Sequence, residues 1–173
     1  MENAKLILII KKRLKMNDKK DIVIFDLDGT LADISVRRAL ADKDNGKIDW
    51  DVFYDPKNIA LDKPNWPVIA MAKMLYKQGK KIVIFSGRSK ATKDVTKDWL
   101  KKYDIPYLVL KMRPTGDKWN SMPDNDLKQY WLDQIFPDDQ KNQILAIYDD
   151  RDKVVDMWRS NGLACFQVAP GDF

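Results

Sequence analysis

The chain contains no histidine. Catalysis through phosphohistidine, a Ser-His-Asp triad or a Cys-His pair is therefore excluded, as are the usual histidine-rich zinc sites. Cysteine is almost as scarce. Cys165 stands alone, which rules out an internal disulfide and fits a reducing cytoplasm. It does not read as the nucleophile of a cysteine phosphatase either, because Gly171 occupies the position where that loop carries arginine. None of the seven glycines opens a G-x-x-x-x-G-K-S/T phosphate loop, so a nucleotide-triphosphate kinase of that type is not expected. Long apolar runs are missing too. Leu6-Ile7-Leu8-Ile9-Ile10 is far too short to span a bilayer. Basic residues follow that run instead of preceding it, and no small-residue cleavage site appears, so a secretory signal is not expected. Internal repeats and low-complexity linkers are absent.

What remains is a chain of 173 residues, 45% hydrophobic, enough for one globular domain with a core. Lysine and arginine exceed aspartate and glutamate by 31 − 26 = 5. That excess suits an anionic partner such as nucleic acid. Residues 1–20 read as a basic N-terminal arm, with Lys11, Lys12, Arg13 and Lys15 behind the apolar run. A helix burying Leu6, Ile9, Ile10 and Leu14 on one side is one reading; an arm that touches phosphates or docks a partner is the other.

Ile22-Val23-Ile24-Phe25 runs straight into Asp26-Leu27-Asp28-Gly29-Thr30. The run is too short for an amphipathic helix and mostly β-branched, which predicts a buried parallel strand ending in a turn. Open α/β sheets collect their chemistry beyond the carboxyl ends of the strands. Two carboxylates delivered there imply a divalent cation, with one acid left to react. Alternatively, Asp28-Gly29 simply ends a strand. A polar insertion follows over 32–65, carrying Trp50, Phe53 and Tyr54, and reads as a long crossover loop or a small cap. Its aromatics form a mini-core or stack on a base. Arg37 and Arg38 are placed to meet phosphate oxygens.

Beyond it, helical and strand patterns alternate. Val68, Met71, Ala72 and Leu75 mark a helix, closed by Gly79. Lys81–Phe85 is a strand leading to Ser86-Gly87-Arg88-Ser89, either an anion seat or a helix N-cap. A helix over 91–103 and a strand over 107–110 come next. Arg113 opens a loop, and Asp124 is expected to cap a helix through Phe136 with Leu127, Tyr130, Trp131 and Ile135 inward. Lys128 lies early in that helix, a poor place for a cation unless it meets phosphate. A strand over 143–148 ends in Asp149-Asp150, either a second delivery of acids or a plain turn. A helix with Val154, Val155 and Trp158 and a strand over 163–168 close the chain. The whole predicts a Rossmann-like doubly wound α/β fold over 21–173, mainly parallel, with a cap insertion after the first strand.

Parallel strands would gather Asp26, Asp28, Ser86, Arg88, Asp149 and Asp150 on one edge, with Lys128 near. Oxygen-only acidic ligands fit Mg²⁺. With no histidine, a carboxylate is the natural nucleophile. This motif set resembles the haloacid dehalogenase-like phosphatases, through Asp26-Leu27-Asp28-Gly29-Thr30, Ser86, Lys128 and Asp149-Asp150. More closely, Ser86-Gly87-Arg88, Met112-Arg113…Gly116-Asp117…Asp124-x-x-x-Lys128 and the tail Asp149-Asp150-Arg151…Val154-Val155-Asp156-Met157-Trp158-Arg159…Gly162…Gln167-Val168-Ala169…Gly171-Asp172-Phe173 resemble the phosphatase domain of bacteriophage polynucleotide kinase/3′-phosphatases.

That resemblance implies a Mg²⁺-dependent 3′-phosphatase of DNA or RNA ends, in a host cytoplasm, without 5′-kinase activity. It implies Asp26 as nucleophile and Asp28 as acid and base. Asp26, Asp150 and the carbonyl of Asp28 would hold Mg²⁺, with Asp149 supporting. Arg37, Ser86, Arg88 and Lys128 would neutralise the transferring group, with Lys118 the rival for the lysine role. Thr30, Gly87 and Arg113 are expected to contact substrate. A phosphatase of free mononucleotides or other small metabolites, and a catalytically idle end-binding module, are the alternatives.

Overall fold

A computed structural model describes residues 2–14 and 19–171. Its centre is β1 (Ile22–Phe25), whose four side chains are all buried. Side chains along a strand alternate between faces, and β1 shows the consequence. Ile22 and Ile24 enter one core while Val23 and Phe25 enter the other. The neighbouring β4 (Lys81–Ser89) divides likewise, with Val83 and Phe85 against Ile82 and Ile84. With β5 (Val109–Arg113), β6 (Ile144–Asp149) and β7 (Cys165–Gln167) these strands make a five-stranded sheet of order β5-β4-β1-β6-β7. Every pairing in it is parallel.

Helices cover both faces. On one lie α5 (Trp66–Lys77) and α6 (Lys93–Lys102), which bury Val68, Ile69, Ala72, Trp99 and Leu100. On the other lie α1 (Glu2–Leu14), α8 (Asp124–Ile135) and α9 (Asp152–Ser160), with Leu127, Trp131, Leu132, Ile135, Val154 and Trp158. This is a Rossmann-like doubly wound α/β fold, and every strand's carboxyl end reaches the same edge.

The stretch over 32–65 folds into short elements. β2 (Ala32–Asp33) pairs antiparallel with β3 (Lys63–Pro64), and between them lie α2 (Ser35–Ala41), α3 (Trp50–Phe53) and α4 (Pro56–Ile59). Asp49 and Asp55 start the last two by accepting backbone N–H groups. A further short helix, α7 (Asp117–Asn120), follows β5.

Several expectations shift. β4 does not stop at Phe85 but runs to Ser89, because Ser86 pairs with Met112 and a bulge carries the pairing on to Ser89 and Arg113. Ser89, not Ser86, then caps the next turn by accepting from the Ala91 N–H at 3.2 Å. β5 begins at Val109 and ends at Arg113, beyond the expected 107–110. The helix α8 is led by Pro123, and the Asp124 carboxylate faces two arginines instead of capping it. In α1, Ile10 and Leu14 join the core but Ile9 is 47% exposed. Expectations on Lys15, Asp172, Phe173 and the side chain of Leu6 fall outside the described residues. Among the described residues no helix is long and apolar enough to cross a membrane.

Candidate active site

Beyond Phe25 the chain leaves the sheet. The Asp26 N–H still donates to the Tyr148 carbonyl at 2.9 Å, so the first acid stays registered on β6, the strand carrying Asp149. Gly29 then turns the backbone at φ 86°, a conformation that costs other residues energy. The turn brings the loop against Asp150. A Cβ at position 29 would lie 2.0 Å from Asp150 Oδ2.

Asp26, Asp149 and Asp150 are all buried, and one carboxylate oxygen from each falls within 4.8 Å of the others. Lys128 enters from α8, itself buried, and its ammonium donates to Asp26 Oδ1 at 2.6 Å and to Asp149 Oδ2 at 2.9 Å. The Trp158 indole N–H donates to Asp149 at 3.1 Å, and the Thr30 hydroxyl donates to Asp150 at 3.1 Å. Burial lifts Asp26 well above the usual carboxylate range, Asp149 and Asp150 adding to it against the pull of Lys128. Asp150 is pushed up to about 6, chiefly by burial and then by Asp149. Lys128 goes the other way: burial opposes its charge, but Asp149 and Asp26 outweigh it and hold the ammonium protonated. Three buried acids thus face one cation. Uncompensated buried charge is costly, and an all-oxygen cluster with excess negative charge is the donor set that hard divalent cations take. The residues fit such an ion.

A second network adjoins the first. Asp28 Oδ1 accepts from Arg37 Nη2 at 2.7 Å and from Arg88 Nε and Nη2 at 2.8 and 2.5 Å. Below them Asp62, which no sequence pattern marked, accepts from Arg37 Nε at 2.9 Å and Arg88 Nη2 at 2.6 Å. Both arginine side chains are fully buried, and so is Asp62; only Asp28 retains 18% exposure. Burial alone would raise Asp28, but Arg88 and Arg37 together overcome it and bring it to about 2. Asp62 stays near 6, because burial and then Asp28 work against the same arginines. The Trp99 indole fixes Asp62 from behind by donating to its carbonyl at 2.8 Å. Two anions and two cations balance here. The signal that could have found Asp62 is faint: one acid between apolar Leu61 and the Lys63-Pro64 strand.

Arg113 lines the same cavity but is also tied to the protein. It donates to the carbonyls of Gly87 and Met122 at 3.0 and 2.7 Å, to that of Trp119, and to Asp124. Arg151 takes the other Asp124 oxygen at 2.7 Å. Arg113 is therefore a brace joining β4, β5 and α8, with four of its five N–H donors engaged by protein. Thr30 is fully buried and turned to Asp150, behind the residues that line the cavity. Gly87 lines the cavity, and a Cβ there would press within 2.7 Å of Asp124 Oδ1. Ser86 is buried, its oxygen accepting the Arg88 N–H at 3.2 Å. Lys118 is exposed, with its ammonium over Trp119 at 5.3 Å, well away from the acids that Lys128 meets.

All this opens into a cavity of about 950 Å³, with Asp26, Asp28, Lys128 and Asp150 at its floor and Trp50 and Tyr54 of the insertion on its wall. That size is ample for a nucleotide-sized ligand.

Comparison with known proteins agrees with this geometry. Residues 20–173 match the family described as the polynucleotide kinase PNKP phosphatase domain. A protein of Autographa californica nuclear polyhedrosis virus, named for bifunctional polynucleotide kinase/RNA ligase, is 33% identical over 139 residues, 79% of this chain and 17% of that protein. Two structures of Pnkp1/Rnl/Hen1 complexes, one described as an RNA repair complex, share 36% and 37% identity at a TM-score of 0.69. They match 88% and 90% of this chain but only 44% and 48% of their own. The chain thus spans less than half the length of these relatives. A haloacid dehalogenase-like family protein from Streptococcus pneumoniae, 15% identical with a TM-score of 0.56, shares the fold over 85% of this chain and 83% of its own.

Proposed function

The chain belongs to the polynucleotide kinase PNKP phosphatase-domain family of haloacid dehalogenase-like phosphoric monoester hydrolases, and on that premise we propose that it removes the 3′-terminal phosphate from polynucleotide ends. The observation that carries the reading is the meeting of Asp26, Asp149, Asp150 and Lys128 at the carboxyl edge of the sheet. Relatives named for RNA repair and RNA ligase favour RNA ends over DNA. No phosphate-loop motif lies in these 173 residues, so the reading includes no 5′-kinase activity for them.

In the proposed reaction an Asp26 carboxylate oxygen attacks phosphorus, the bond to the 3′-oxygen breaks, and an aspartyl-phosphate forms. Water then cleaves that intermediate and frees Asp26. Lys128 holds Asp26 in place and offers its remaining donor capacity to phosphoryl oxygens. Asp28 is the acid and base of the two half-reactions. With Arg37 and Arg88 both on its Oδ1 it is ionised, ready to take a proton from the attacking water. To donate a proton to the leaving oxygen it must first take one from solvent, which its 18% exposure allows and which a phosphate that draws a guanidinium away would favour. Asp26, Asp150 and the Asp28 carbonyl would hold Mg²⁺, Asp149 supporting. The ion, when bound, offsets negative charge on the acids and the phosphate.

The decisive assay is phosphate release from a 3′-phosphorylated oligonucleotide, RNA against DNA, with and without Mg²⁺. Release is expected to need Mg²⁺, to stop with chelator, and to fall at least about a thousandfold in Asp26→Asn. Equal or better turnover of 5′-mononucleotides would replace the polymer end with a free nucleotide as substrate.

A further inference from the structure

We propose that the indole of Trp50, on the short helix α3 of the insertion, is a stacking platform for the base of the terminal nucleotide. The inference rests on the phosphatase reading above, which places the phosphate of the same ligand over Asp26. Trp50 lines the cavity that holds Asp26 and is nevertheless 57% exposed. Its neighbour Phe53, at 7%, fills the interior of the insertion together with Ile34 and Ala41, and these form the mini-core without Trp50. Packing does not explain a large apolar ring left on a cavity wall.

The ring is also held in place. Tyr54 lies alongside it at 5.9 Å and 19° between planes, and Phe53 meets it edge-on at 5.5 Å. Two neighbouring rings thus brace it, and more than half of its surface stays open where it lines the cavity. A pre-ordered aromatic loses little conformational entropy on binding a second π system.

Its place relative to the chemistry is direct. The Phe53 ring that meets Trp50 also carries the Arg37 guanidinium 4.3 Å above its centre. Arg37 in turn donates to Asp28 at 2.7 Å. From platform to acid–base residue there are thus two intervening side chains, and both ends line one cavity of nucleotide size. Charge points the same way. Asp51 and Asp55 share this end of the wall, which disfavours phosphate there and leaves it to an uncharged base. Every base presents a π face, so the platform selects for a nucleotide without selecting which one.

The test uses a short 5′-fluorescein-labelled RNA with a 3′-phosphate, and the same RNA with an abasic terminal sugar phosphate. Both are titrated by anisotropy against the Asp26→Asn protein, which does not consume them. Trp50→Ala should weaken binding of the complete ligand about tenfold, Trp50→Phe much less. Removing the base should cost a similar factor with Trp50 present and nothing further with alanine there, since two halves of one contact do not add. Thermal melts of both variants check that the insertion is intact. Equal losses for the complete and abasic ligands, or no loss for either, overturns the platform. Failure of the wild-type protein to release phosphate from any ester sinks the reaction instead, and base-dependent anisotropy still decides Trp50.

Discussion

Asp62 and Gly29 show how single residues set this site without entering its chemistry. Asp62 anchors the two guanidiniums that also grip Asp28, from a position sealed against solvent. Misplacing reacting groups by about an ångström costs roughly a hundredfold. Asp62→Asn is therefore expected to lower kcat/KM by about 10- to 100-fold at neutral pH. Because Asp62 titrates near 6 in the fold, it is ionised at pH 7.5 and takes up a proton as pH falls through that value. Wild-type activity should then fall on the acid side more than that of the asparagine variant, which already lacks the charge. The gap between the two proteins is the measurement, since Asp150 titrates in the same range. A gap that widens toward acid pH would count against the anchoring role. Gly29 acts through space and backbone together. An alanine there meets Asp150 at 2.0 Å and must keep φ near 86°, which costs about 1–2 kcal/mol. Gly29→Ala should raise the Mg²⁺ concentration needed for half-maximal turnover and lower the melting temperature. Unchanged Mg²⁺ dependence would show that Asp150 yields harmlessly.

At the scale of elements, α8 joins stability to catalysis. One of its faces supplies Lys128 to Asp26 and Asp149, and the same helix buries Leu127, Trp131, Leu132 and Ile135 in the core beneath. The helix α1 enters that core with Ile10 and Leu14. A lysine ammonium can balance two buried acids only while its helix is fixed against the sheet. Leu14, fully buried, therefore contributes to the site from a distance. Leu14→Ala should cost about 2–5 kcal/mol in urea unfolding, the range for leucine truncations in packed interiors. A loss under 1 kcal/mol would mean that α1 contributes little to the core. The bulge in β4 is the other structural device with a chemical consequence. It carries Gly87 and Arg88 past the point where the strand was expected to stop, and Arg88 thereby reaches Asp28.

Across the whole molecule, local and net charge differ in sign: five site acids face three buried cations. The acids of the site are buried, whereas the chain as a whole carries a formal charge of +5. On the proposed function a polynucleotide would engage that surplus at several phosphates, whereas a mononucleotide or p-nitrophenyl phosphate brings only its own ester. Single-stranded ligands lose affinity with salt at about 0.7 log unit per log unit for each phosphate neutralised. Raising salt from about 50 to about 200 mM should therefore increase KM for a 3′-phosphorylated oligonucleotide more steeply than KM for p-nitrophenyl phosphate. Parallel curves would confine recognition to the terminal phosphate.

The amino-acid sequence by itself determined the parts that depend on near neighbours. An apolar run of four ending in Asp26 makes a buried strand with an acid at its tip. Spacings of four residues place Leu127, Trp131 and Ile135 on the buried side of α8. Tertiary structure alone decided who meets whom. It seated Lys128 on Asp26 and Asp149, brought Asp62 under both arginines, spent Arg113 on bracing and turned Thr30 to Asp150. The physical reason is range. Periodicity records which face of one element is apolar, whereas a buried charge finds its partner only after parallel crossovers have set β4, β1 and β6 side by side.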